Sequence, residues 1–162
     1  MLKSSRFDFL KVKETSIHKF NEIRFTYNVM KYITGHALTT EEAIQRYLRY
    51  TDDPIFGNYF VIDNTNQKVI GLVKFVEEPK GVIEVGYSVF EEYWGKGYAT
   101  EMAETMIDYA LANLNPDKII GYVDARNPAS MKVLRKMGLI KESQEIERNG
   151  NTVYLFTKMI KQ

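Results

Sequence analysis

The clearest hydrophobic pattern in the chain lies between residues 82 and 114. Val82–Val89 is rich in β-branched residues and reads as a strand. A short turn follows. Apolar residues then recur at Ala99, Ala103, Met106, Ile107, Ala110, Leu111 and Leu114, the spacing of one buried helix face. Asn115-Pro116 ends that helix, because the residue before a proline is pushed away from helical angles.

Upstream, residues 6–12 alternate apolar and polar positions and predict a first strand. A helix starting at residues 14–16 would turn Ile17, Phe20 and Ile23 inward and leave His18 in solvent. Residues 27–33 read as a short helix or turn ended by Gly35. Thr39 and Glu42 stand at capping-box spacing before a helix with Ala43, Ile44, Tyr47 and Leu48 inside. Residues 59–63 and 69–76 flank a polar turn, so with Val82–Val89 they predict an antiparallel meander.

Downstream, Lys118–Asp124 is a further strand, and strand, helix and strand at these lengths predict a parallel crossover. Asn127 caps a second helix with Pro128 at its first position, Val133, Leu134 and Met137 inside, and Gly138 at its end. Residues 139–146 and 152–159 close the chain as a hairpin around Asn149-Gly150. The expected class is mixed α/β (α+β), a single domain over residues 1–162.

Composition narrows the function. The chain is 44% hydrophobic and 27% charged with a net charge of +1, so neutralising nucleic-acid phosphates is not its main task. No apolar run approaches the roughly 18 residues of a membrane span, and the N-terminus lacks a secretory apolar core. Zero cysteines exclude disulfides, thiolate metal sites and a cysteine acyl-enzyme, and two scattered histidines predict no metal site. A cytoplasmic location fits this composition.

The turn before the long helix carries candidate chemistry. Gly95 and Gly97 permit unusual backbone angles and close approach. The first amides of a helix lack internal partners and carry partial positive charge, so this turn suits a phosphate or pyrophosphate. A tight turn that binds nothing accounts for the two glycines equally well. The Walker loop fails here because Gly97 follows Lys96, and the dinucleotide fingerprint fails because position 100 is threonine.

Trp94-Gly95-Lys96-Gly97-Tyr98-Ala99 resembles the pyrophosphate loop of the GNAT superfamily of acetyl-CoA-dependent N-acetyltransferases, with tryptophan replacing the usual glutamine or arginine. Together with Glu84-Val85-Gly86-Tyr87 and Asn127-Pro128-Ala129-Ser130, the chain is similar to the branch of ribosomal-protein N-terminal alanine acetyltransferases. The resemblance implies a GNAT fold: a mixed sheet, a splayed parallel strand pair and helices on both faces. It implies acetyl-CoA as cosubstrate and no metal. Gly86 would mark a bulge that splays the central strand, although ordinary packing against an aromatic neighbour also explains a strand glycine, with Tyr87, Ser88 and Val89 pairing with the pantetheine arm chiefly through backbone.

Gly95, Lys96, Gly97, Tyr98, Ala99 and Thr100 would hold the pyrophosphate, although Lys96 reads equally well as a solvated loop lysine. Asn127 and Ser130 would contact the cofactor arm, though plain helix capping explains Asn127 as well. By the same resemblance Tyr27, Tyr32, His36, Tyr47 and Tyr50 lie toward the acceptor site.

Acetyl transfer needs a neutral amine. Presenting a lysine-like amine neutral near pH 7 costs about 4–5 kcal/mol, and an α-amine only about 1.4 kcal/mol. Glu84 is the candidate general base, acting directly or through a water, although an exposed strand glutamate or one that orients substrate by charge fits the position too; the Val89 amide is the candidate donor to the thioester carbonyl. Leu134 stands where many members carry a tyrosine acid. The expected activity is direct transfer in a ternary complex to a protein or peptide N-terminus. A small amine acceptor, such as a polyamine, an amino acid or an aminoglycoside, and a non-catalytic acyl-CoA-binding module are the alternatives. Neither nucleic acid nor membrane is an expected partner, and the chain is expected to be a monomer or homodimer.

Overall fold

The computed structural model describes residues 2–161. Seven strands form one sheet: β1 (Phe7–Lys11), β2 (Gly57–Asp63), β3 (Val69–Glu77), β4 (Val82–Val89), β5 (Lys118–Asp124), β6 (Ile140–Arg148) and β7 (Asn151–Met159). Their order is β1-β2-β3-β4-β5-β7-β6. The β4–β5 pair is parallel and the other neighbours are antiparallel. The mixed sheet with one parallel pair is the architecture that the strand and helix order predicted.

Period-two alternation sends successive residues to opposite faces and builds two cores. Val61, Val73, Phe75, Ile83 and Val85 pack on one face with α3 (Tyr98–Asn113) and α4 (Pro128–Lys136). Phe60, Ile62 and Leu72 pack on the other, under a 3-10 helix (Glu14–Glu22), α1 (Tyr27–Met30) and α2 (Thr40–Tyr47). The capping box of α2 is present: the Thr39 hydroxyl accepts from the Glu42 amide at 3.1 Å, and Glu42 accepts from the Thr39 amide at 2.9 Å.

Several local expectations change. The Glu14–Glu22 segment is 3-10 rather than α, yet it buries Phe20 and leaves His18 exposed as expected. In α3, Met102 joins Ala103, Met106, Ile107 and Ala110 inside, whereas Leu111 is 42% exposed. Gly86 is no bulge, because β3–β4 pairing runs without a shift from Glu77↔Ile83 to Gly71↔Val89. On the neighbouring strand, Gly71 is a glycine that a close approach does require. A Cβ there would collide with the Ser88 carbonyl oxygen and lie 2.8 Å from Met102 Cε. A register shift falls instead between β2 and β3, at Val61/Ile62.

Candidate active site

The site begins where β4 and β5 part. Their register is Val82↔Lys118, Ile83↔Ile119 and Glu84↔Ile120, and then it stops, although the strands continue to Val89 and Asp124. Each keeps its outer neighbour to the end, β3 for β4 and β7 for β5. The opening therefore lies within the sheet. Leu134 of α4 sits over its start and would touch a Cβ at Gly121 at 3.1 Å, so this position is kept small.

Antiparallel neighbours alternate between hydrogen-bonded and unbonded pairs, which sorts the β4 backbone. The Phe90 amide donates to the Ile70 carbonyl at 3.0 Å. By alternation Ser88 turns its backbone groups toward β3, whereas Tyr87 and Val89 turn theirs toward the opening. The Val89 carbonyl accepts the Trp94 indole Nε1–H at 2.7 Å. Its amide remains a donor facing the opening.

Side chains alternate in the same way. Glu84, Gly86 and Ser88 border a cleft of about 350 Å³ on the α1–α2 face of the sheet. Glu84 is bonded to Lys74, whose Nζ lies 3.3 Å from one carboxylate oxygen and 3.2 Å from the other. Tyr87 points through to α4, where its hydroxyl donates to the Ser130 carbonyl at 3.0 Å and lies 3.1 Å from Ser130 Oγ. Burial pushes the Tyr87 phenol up to about 12, against the opposing effect of the Ser130 hydrogen bond.

A short 3-10 turn (Glu91–Tyr93) leads from β4 into the glycine loop. Gly95 and Gly97 both have φ +78, and Gly97 is the N-cap of α3. No side chain caps this end, so the Tyr98, Ala99 and Thr100 amides are the unpaired helix donors. A Cβ at Gly95 or Gly97 would meet no atom within 4 Å, so the space beside the loop is open. Tyr98 is held by Phe7, with centroids 4.9 Å apart, and Lys96 lies 5.9 Å over the Tyr93 ring.

Glu101, one turn into α3, would repel an anion at this helix head. Arg6 bonds it at 2.7 Å and Ser4 at 2.5 Å. Burial pushes the Glu101 carboxyl up, but these hydrogen bonds together outweigh it and hold the group below its usual range.

At the other side of the opening, Asn127 Oδ1 accepts from the Ser130 amide at 3.3 Å, the capping bond expected of it. Sequence reasoning missed Asp124, which is buried at the end of β5 and clamped by Arg126 at 2.8 and 2.9 Å. The signal available was a carboxylate closing an otherwise apolar strand. Tyr32, Tyr47 and Tyr50 line the cleft, while Tyr27 is an exposed residue of α1. No group of three or more metal-ligating side chains occurs among the described residues.

The profile described as acetyltransferase (GNAT) domain matches residues 8–140. The chain belongs to the GNAT acetyltransferase family. It is 30% identical over 108 residues to the uncharacterized N-acetyltransferase p20 of Bacillus licheniformis, covering 62% of this chain and 61% of that protein. It is 26% identical over 134 residues to the spermidine N(1)-acetyltransferase of Vibrio cholerae, covering 81% and 75%. The first of these matches therefore spans less than two thirds of the relative's length. A GNAT-family acetyltransferase from Bacillus anthracis superposes with a TM-score of 0.81 at 22% identity, covering 98% of this chain and 97% of that one. The ribosomal-protein-S5-alanine acetyltransferase of Vibrio fischeri gives 0.74 at 21%, covering 97% and 94%. At these identities the two structures establish the fold.

GNAT proteins use acetyl-CoA, and the residues present suit it. The open glycine loop and uncapped helix head fit a pyrophosphate. The Tyr87 backbone groups and the Val89 amide, which face the opening, fit an arm that carries amides.

Proposed function

We propose that this protein transfers the acetyl group of acetyl-CoA to a primary amine, and that the acceptor is an α-amine at the N-terminus of a peptide or protein. The observation that carries the reading is the parting of β4 from β5 beyond Glu84 and Ile120, directly beside the uncapped head of α3. Acetyl-CoA would supply a thioester whose carbonyl carbon accepts the amine nitrogen; as the amide forms the C–S bond breaks, its electron pair leaving on the CoA thiolate, and the amine proton passes to a base.

The Tyr98, Ala99 and Thr100 amides, with the Gly95–Lys96–Gly97 backbone, bind phosphate oxygens. Backbone groups of Tyr87 and Val89 align the arm; Ser88, whose backbone serves β3, contributes its side chain to the cleft wall. Asn127 and Ser130 position the arm from the α4 side. The Val89 amide donates to the developing oxyanion, a kind of contact worth about 2.7–4 kcal/mol in a dry site. Glu84 takes the amine proton. Lys74 already occupies that carboxylate, so it must give up a bond to act. An α-amine asks about 3 kcal/mol less of such a base than a lysine-like amine does.

The test has two steps. Calorimetric titration with CoA should give heat and thermal stabilisation. Thiol release on mixing acetyl-CoA with peptides bearing free or blocked N-termini should require the free α-amine. Equal release with blocked peptides would remove the N-terminal acceptor, and CoA binding without thiol release across amines would leave a binding module.

A further inference from the structure

Resting on the acetyl-transfer reading, we propose that the acceptor amine carries an anionic group, a carboxylate or a phosphate, which the cationic rim of the cleft holds. Five cationic side chains, Lys31, Arg46, Arg49, Lys74 and Arg148, line the cleft on the α1–α2 face, against two carboxylates, Glu84 and Asp124. Both carboxylates are already engaged. Lys74 holds Glu84 at 3.2 Å, and Arg126 holds Asp124 at 2.8 Å. Among the described residues, Lys31, Arg46, Arg49 and Arg148 make no ion pair.

The chain as a whole carries a net charge of only +1, so this imbalance is local. Three of these four cations are also placed rather than scattered. Lys31 Nζ lies 4.9 Å from the Tyr32 ring centre, the Arg46 guanidinium 5.6 Å from Tyr47, and the Arg148 guanidinium 4.5 Å from Tyr122. An aromatic face attracts a cation without cancelling its charge. Such contacts hold charged heads at the cleft while leaving them able to bind an anion.

A polyamine entering here would set two or more ammonium groups among these cations, with no unpaired carboxylate to receive them. Like charges at an interface are strongly unfavourable, and opposite ones speed encounter. The chemistry of the rim therefore selects against the polyamine acceptor of the Vibrio cholerae relative and for an amine with negative charge close to the nitrogen.

The experiment measures thiol release by the full chain with equal-length peptides beginning Ala-Asp-Glu or Ala-Lys-Arg, with O-phosphoserine, and with spermidine. Acidic acceptors should exceed basic ones in kcat/KM by about tenfold at low salt, with the gap shrinking as salt rises. The relative rates of the acidic peptide and O-phosphoserine identify the anion that the rim prefers. Replacing Arg46→Glu together with Arg49→Glu should reverse the preference, and where that variant fails to fold, the salt dependence of the native chain decides. Spermidine or the basic peptide matching the acidic ones at low salt would overturn the proposal. If no amine is turned over, it is acetyl transfer that fails; titration with the two peptides then decides the charge preference, equal affinities overturning it.

Discussion

The indole of Trp94 donates its Nε1–H to the Val89 carbonyl at 2.7 Å, tying the first residue of the glycine loop to the last residue of β4. The bond joins the two regions assigned to the two ends of the cosubstrate. It also occupies the one polar group of the Val89 backbone that would repel a carbonyl oxygen, leaving the amide. Tryptophan replaces the glutamine or arginine of the family loop here, and a side-chain N–H donor is what all three share.

Trp94→Phe keeps an aromatic ring and deletes that donor. A hydrogen bond of this kind contributes about 0.5–1.5 kcal/mol net, so CoA affinity should fall by roughly two- to tenfold. Trp94→Gln, which can still donate, should lose less. Calorimetric titration of the three proteins with CoA checks this, and equal affinities would show that the bond does not shape the site.

Glu84→Gln removes the proposed proton acceptor and, with it, the charge that Lys74 neutralises. General bases contribute about 10²–10⁴-fold, so kcat should fall by at least about a hundredfold with little change in CoA affinity. Lys74→Met frees the carboxylate and should spare kcat far more than Glu84→Gln does. Steady-state kinetics separate the outcomes. Unchanged turnover in Glu84→Gln would assign proton removal to water.

Gly71 and Gly86 stand on neighbouring strands and predict opposite responses to alanine. At Gly71 a Cβ would meet the Ser88 carbonyl and Met102, so β4 must shift exactly where it borders the opening. Overpacking of this sort costs about 1–3 kcal/mol, which is about 2–10 °C in Tm for a chain of this size. At Gly86 the nearest atom is Lys74 Cβ at 3.4 Å, an ordinary contact, so Gly86→Ala should unfold within a degree or two of the parent. Thermal melts of the two variants decide it.

Those glycines also show where the sequence could be read and where it could not. β4, β5 and the helix between them follow from hydrophobic period and from Pro116, which are local signals. The loop is legible because αL geometry and an uncapped helix head are properties of a few adjacent residues. Gly86 misled because a glycine in a strand marks either a bulge or a close approach, and the cause lies on whichever strand or helix packs against it. The Arg126–Asp124 clamp and most of the ring-held cations are contacts between near neighbours, but their gathering around one cleft was hidden: it depends on β5, α1, α2 and the β6–β7 turn meeting at one face. Only the three-dimensional arrangement shows that Glu84 is already engaged by Lys74.

Arg6 and Glu101 are 95 positions apart, and their contact protects the anion site from a carboxylate of its own helix. Arg6→Ala would leave Glu101 charged near the Tyr98, Ala99 and Thr100 amides, still bonded by Ser4 and the residue 6 backbone but with no cation beside it. Charges at a helix terminus are worth about 0.3–1 kcal/mol, so CoA affinity should drop by roughly two- to fivefold, most at low salt. The pH dependence has a definite sign. The Glu101 carboxyl is held below its usual range, so its contribution to stability is present above the unfolded-state pKa and is lost as pH falls through the folded value. The parent should therefore lose part of its stability on the acid side of the ordinary glutamate range. Arg6→Ala should lose less there, because it has less of that contribution to lose. Denaturant melts from neutral pH downward, run on both proteins, measure the difference. Parallel acid profiles would mean that the ion pair is only a surface contact, and the affinity loss on adding CoA would then have to be absent as well.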